Sequence, residues 1–219
     1  KYLLFVPWIY RDLERRQIPS AEIARRARQA EIRLIDVLCK AEDSDGVIGR
    51  RARASLQRLP SNIYWSGLGR LGIRRFDGSQ DAYHRSVDAL YLQRRQGRRA
   101  DDGERLEAPV DSWRTGIPEP PDAFPGDATL TLTASEAAYL RERILADAGG
   151  SLFAELLRHE ANVNDVEYPW LVQHGSWQTP TLSDQLMHAE LFSLTLHGAA
   201  LLYNYLLARK LGGKMLLRI

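Results

Sequence analysis

Seven arginines and no acid stand between Gly46 and Phe76, interleaved with Tyr64 and Trp65. Guanidinium forks match phosphate oxygens and aromatic faces accept stacked bases, so the chemistry of this stretch suits a polyanion. Arg50 and Arg51 follow Val47-Ile48-Gly49 at the start of a predicted helix over 50–58, where free backbone N–H groups already favour an anion. Asn62-Ile63-Tyr64-Trp65 and the following Gly72-Ile73-Arg74-Arg75-Phe76 have the layout of a helix-turn-helix or winged-helix element, a helix for the major groove and then a basic hairpin. Arg50, Arg51, Arg53, Arg70, Arg74 and Arg75 are the resulting candidates for phosphate contact. Against this stands a solvated basic face with Asp43 and Asp45 as counterions, and Tyr64 and Trp65 as core residues.

Other constellations carry less. Gly67-Leu68-Gly69-Arg70-Leu71-Gly72 is a literal G-x-G-x-x-G, but a dinucleotide site needs a strand before it and a helix after it. Here a helix precedes the glycines and arginines follow. Gly72 is expected to close that helix at its C′ position, with Gly67 and Gly69 allowing another backbone to approach. His188, Glu190 and His197 share one long helix at spacings of two and seven, which do not converge as H-E-x-x-H does. An enzyme would have to gather such dispersed groups, His159 among them, into one pocket. Ser151 and Cys39 have no recognisable base beside them, so nucleophilic catalysis has no support. The expectation is a non-enzymatic protein with no metal and no cofactor.

The elements that hold these residues are helical by pattern. An apolar run from Tyr2 to Trp8 is a strand or a first turn, with a helix from Pro7 to Arg16. Ser20 opens a second helix running to about Glu42, with Ile23, Ala27, Ala30, Leu34 and Leu38 on one face. A short helix contains Ile63 and Leu68, and Ser79 caps another running to Arg95. Thr133 and Glu136 have capping-box spacing, Gly149-Gly150 stops that helix, and Ser151 to His159 forms a short one burying Leu152, Phe153, Leu156 and Leu157. Leu182 to Leu211 is a long apolar helix, read as the centre of a bundle rather than a membrane span because His197, Asn204 and Arg209 interrupt it. The fold class is mainly α: an irregular multi-helix bundle with a small winged-helix-like N-terminal part.

Charge divides the chain. Residues 1–99 carry 21 Lys+Arg against 11 Asp+Glu, a net of +10, and residues 100–219 carry 9 against 17, a net of −8. A basic half attracts nucleic acid or an acidic partner; alternatively the halves neutralise each other on folding. Residues 97–127, with five prolines from Pro109 to Pro125, read as a connection between a basic helical domain (1–96) and an acidic one (128–219), with Trp113 and Phe124 pinning it to the surface. The lone Cys39 rules out an intrachain disulfide and fits a reducing cytoplasm. Charged Arg11-Asp12-Leu13-Glu14 follows the first apolar run too closely for a signal peptide.

The stretches YLLFVPWIYRDLERR, GVIGRRA, LPSNIYWSGLGRLGIRRF, YLRERIL and HGAALLYNYLL resemble those of an uncharacterised bacterial family of unknown function. The resemblance implies a shared fold, a further segment ahead of YLLFVPWIY, and a setting in bacterial anti-phage loci beside helicases and nucleases. It supplies no catalytic residue. The expected function is a nucleic-acid-associated, cytoplasmic component that binds DNA or RNA phosphates through its arginine-rich half. The alternative is a scaffold subunit of a multi-protein complex; no membrane partner is expected.

Overall fold

Burial overrides a proline at the start of the chain. The first helix, α1 (Tyr2–Arg15), begins at Tyr2 rather than at Pro7, which lies in its interior without an N–H to donate. An interior proline costs about 3 kcal/mol. Nine of the fourteen residues of α1 are buried, among them Leu4, Phe5, Trp8 and Tyr10. At roughly 1.5–3 kcal/mol for each large side chain, that burial outweighs the lost hydrogen bond. The computed structural model describes residues 1–41, 44–97, 111–159, 166–172 and 179–210. Among them the other α-helices are α2 (Ser20–Leu38), α3 (Pro60–Arg70), α4 (Gln80–Gly97), α5 (Ala134–Asp147), α6 (Leu152–Arg158) and α7 (Pro180–Lys210). No strand occurs among the described residues; Arg74 and Trp113 form one isolated antiparallel bridge.

Caps set most of the boundaries. Ser79 Oγ accepts from Ala82 N ahead of α4, and Thr133 and Glu136 form the expected reciprocal box at the start of α5. Ser20 is the first residue of α2, and its N–H and hydroxyl both donate to Asp88 of α4 at 3.1 and 2.6 Å. A carboxylate on a neighbouring helix therefore caps α2 and ties the two together. The helix predicted over 50–58 is absent: residues 48–52 are turns, followed by the single 3₁₀ turn Arg53–Ser55. Gly46 and Gly49 at φ +82° and +81° suit turns and leave no helical start for Arg50 and Arg51.

The chain divides into two compact units, Lys1–Ala148 and Gly149–Ile219. In the first, Tyr10, Trp65, Tyr83 and Trp113 meet at ring-centroid distances of 5.3 to 6.2 Å, tilted or edge-on, as the aromatic quadrupole favours. Trp113 is only 4% exposed, so the proline-rich segment enters the core instead of lying on the surface. Phe124 packs on Phe5 and Trp8, the Trp8 indole donates to Pro118 O, and Arg75 N and Arg114 N donate to Ser112 O and Ile73 O. Residues 111–148 thus belong with the N-terminal helices; residues 98–110 of the expected connection lie outside the described residues.

Glu14 is the polar hub of this core. Tyr83 Oη, Trp113 Nε1 and Arg94 all donate to its carboxylate. Burial and Glu14 together push the Tyr83 phenol well above its ordinary pKa, which keeps it a donor.

In the second unit α6 buries Ala154, while Phe153, expected in the core, is 56% exposed. Along α7 only Leu182, Leu186 and Ala208 are buried. It is therefore not the surrounded central helix its composition suggested. It is long and apolar enough to cross a membrane, by length and composition alone.

Candidate nucleic-acid interface

The position of α3 is fixed from both ends. Pro60 supplies a preset φ at its first residue, and Asn62 Oδ1 accepts from Leu59 N at 2.9 Å. From α2, the buried Glu31 accepts from Ser61 N at 2.8 Å and from Ser61 Oγ at 2.6 Å, placing a carboxyl group on the helix N-terminus. At the other end Gly72, φ +59°, donates to Gly69 O, and Ile73 N donates to Leu68 O. That is the Schellman pairing, and Leu68 and Ile73, the two residues it joins, are both fully buried in the core. The glycine motif is thus a helix ending, with no strand before it. An added Cβ at Gly69 would collide with the Arg74 guanidinium, so this glycine makes room for a side chain, not for another backbone.

Trp65 and Leu68 face the core, with the Trp65 indole donating to Gly78 O, and Tyr64 stacks on Tyr2. Opposite them Asn62, Ser66 and Arg70 follow one another at four-residue spacing, all exposed. Asn62 and Ser66 border a shallow cleft of about 460 Å³ that Gln80 and Asp81 also line. Amide, hydroxyl and guanidinium groups on one face can hydrogen-bond to base edges and phosphates alike.

The six arginines singled out above fall into two groups. Arg50 pairs with Asp45 at 3.0 Å and Arg53 with Asp36 at 2.9 Å. Arg74 turns inward: its guanidinium lies 4.9 Å from the Trp65 ring centre and donates to Trp65 O and Phe76 O. It holds residues 72–76 against α3, and no hairpin forms there. Arg51, Arg70 and Arg75 are exposed and make no side-chain ion pair or hydrogen bond among the described residues. Arg58, not singled out in sequence, shares that state. Its signal was available in its place two residues before Pro60, with no acid nearby in sequence. Arg58 and Arg70 bracket α3, whose eleven residues span about 16 Å.

Elsewhere in the first unit the basic groups are largely matched. Arg11 pairs with Glu119, Arg15 and Arg16 with Asp12, Arg25 and Arg26 with Glu22, and Arg94 with Glu14. Residues 1–148 carry 25 Lys+Arg against 22 Asp+Glu, a net of only +3. A cleft of about 670 Å³ between α1, α2 and the proline-rich segment is lined by Arg11, Arg26 and Arg94 together with Asp12, Glu14 and Glu119. Every arginine that lines it except Arg33 already has a carboxylate partner, so it is a poor receptor for a polyanion.

The dispersed histidines do not converge. His188 and His197 are exposed and nine residues apart on α7, about 13 Å, and His159 sits at the end of α6 near Glu155. Among the described residues no group of three His, Cys, Asp or Glu side chains could hold a metal ion.

Glu31 gives the support of α3 a pH dependence. Burial raises its carboxyl from 4.5 to about 7, with the Ser61 hydrogen bonds and Arg28 pulling the other way. A raised carboxyl pKa means the fold favours the protonated form. Its contribution is complete below pH 4.5 and is lost as pH rises through 7. A shift of that size corresponds to roughly 3 kcal/mol. Thermal unfolding followed from pH 5 to pH 7.5 is expected to show the midpoint falling, and Glu31→Gln should flatten that dependence.

The chain belongs to the family of unknown function DUF6361, whose profile matches residues 1–214. No curated protein and no solved structure matches it.

Proposed function

We propose that the protein is a non-enzymatic, nucleic-acid-associated component that binds phosphates through the surface around α3. One observation carries this reading. Among the described residues, the arginines of 1–97 whose side chains make no ion pair or hydrogen bond are Arg33, Arg51, Arg58, Arg70, Arg75 and Arg85, and four of the six come from the stretch around α3. The exposed Asn62, Ser66 and Arg70 supply a polar helix face between them. Arg51, Arg58, Arg70 and Arg75 are the phosphate contacts, whereas Arg50, Arg53 and Arg74 are held within the fold. A cytoplasmic setting in a bacterial system beside nucleic-acid-processing enzymes, such as an anti-phage locus, is part of the same reading. Binding of a labelled duplex and of a single strand, measured as salt rises from about 50 to 200 mM, tests it. Four phosphate contacts give a log–log slope of about −3.6 on duplex, hence an affinity loss on the order of 100-fold. Undetectable binding at the lower salt would refute the reading.

The second reading, a subunit of a multi-protein complex, is favoured by α7, whose apolar side chains are exposed over most of its length.

A further inference from the structure

Helix α7 has no charged residue from Leu191 to Ala208. Ten large apolar side chains in that run, from Leu191 at 53% and Phe192 at 66% to Leu207 at 39%, are exposed. With each exposing on the order of 100 Å², they reach the ~800 Å² per partner of a standard interface and exceed the largest patch of an ordinary monomer.

The spacing of these residues specifies what covers them. Met187, Leu191, Leu194, Gly198, Leu201 and Tyr205 recur at intervals of four, three, four, three and four, the seam of a helix that packs on another helix. The seam is a palindrome of spacing about residue 196. Run antiparallel against a copy of itself, it sets Met187 against Tyr205, Leu191 against Leu201, and Leu194 against Gly198. Gly198 has open space where a side chain would stand, so the bulk of Leu194 meets a gap. Charge selects the same direction. Asp184 and Glu190 lie at the N-terminal end and Arg209 and Lys210 at the C-terminal end. Antiparallel copies bring Asp184 next to Arg209 of the second copy, whereas parallel copies in register set like charges side by side.

We propose that this protein self-associates through α7, the helix pairing antiparallel with α7 of a second copy. Phe192, Leu196, Ala199, Tyr203 and Leu206 form another stripe of the same kind about 140° around the helix. A closed bundle of four copies with antiparallel neighbours covers both. A bilayer fits less well, because Ser193, His197 and Asn204 fall within the uncharged run. At the margin of a self-associated bundle they keep contact with water.

Sedimentation of the chain at micromolar concentration is the test. The expected species is a dimer or tetramer, and Leu194→Glu with Leu201→Glu, both exposed positions, should give a monomer of unchanged helical content. Direction is read by oxidative cross-linking in a Cys39→Ser background. Copies carrying Leu191→Cys should cross-link efficiently to copies carrying Leu201→Cys, and poorly to one another. A monomeric wild type overturns the proposal. If that monomer co-floats with phosphatidylglycerol–phosphatidylcholine vesicles, a bilayer covers α7; if it does not, neither does. Efficient Leu191→Cys cross-linking to itself would overturn the antiparallel arrangement.

Discussion

Replacing Glu14 by alanine is expected to cost about 3–5 kcal/mol of unfolding free energy, the range found when one partner of a buried ion pair is removed. The reason lies in what is left behind. Glu14 accepts from Tyr83 Oη, from Trp113 Nε1 at 3.1 Å and from Arg94 at 2.8 Å, and its side chain is 8% exposed. Without it two aromatic donors lose their acceptor inside an aromatic core and Arg94 keeps only Ser112 Oγ and the more distant Asp111, so each weakened group brings its own desolvation cost. Three parts of the chain are separated by one truncation, since Glu14 is on α1, Tyr83 and Arg94 on α4, and Trp113 in the proline-rich segment. Glu14→Gln keeps an acceptor for Tyr83 or Trp113 and should lose less. Combining Glu14→Ala with Arg94→Met should recover part of the loss, because the uncompensated charge goes with it. Urea unfolding followed by tryptophan fluorescence reports the change, with Trp8, Trp65 and Trp113 all buried. A loss below about 1 kcal/mol, the scale of an ordinary exposed pair, would mean that Glu14 is not the hub described here.

Local rules were enough for much of the architecture. Thr133 and Glu136, Ser79, Ser151 and Gly72 each mark a helix boundary through a short-range hydrogen bond, and each stands where its spacing said it would. Tertiary packing was not legible in the same way. Pro7 argues locally against a helix from Tyr2, yet nine buried residues of α1 overrule it. The prolines between Pro109 and Pro125 read as a linker because nothing periodic surrounds them; that Trp113 fills a space among Tyr10, Trp65 and Tyr83 depends on contacts tens of residues away in sequence. The separation of charge along the chain was visible, but its cancellation within the first unit was not. It takes the fold to set Arg11 against Glu119 and Arg94 against Glu14.

The candidate surface was half legible for the same reason. A basic stretch without acids is a property of sequence, whereas the arginines that stay available are those no folded neighbour consumes. Arg50 and Arg53 find aspartates, and Arg74 finds the Trp65 ring through the gap that Gly69 leaves. What remains is Arg51, Arg58, Arg70 and Arg75, around a helix whose placement depends on Glu31 and Gly72.

The affinity of a labelled duplex for the protein carrying Arg51→Ala, Arg58→Ala, Arg70→Ala and Arg75→Ala together, compared with the wild type at about 50 mM salt, tests the central claim most directly. All four positions are exposed, so the fold should survive. The expected result is an affinity loss on the order of 100-fold and a salt slope lowered by about one for each phosphate contact removed. Changing Arg50 and Arg53 instead, each already held by an aspartate, should cost far less. Wild-type affinity and salt slope in the quadruple variant would contradict the account.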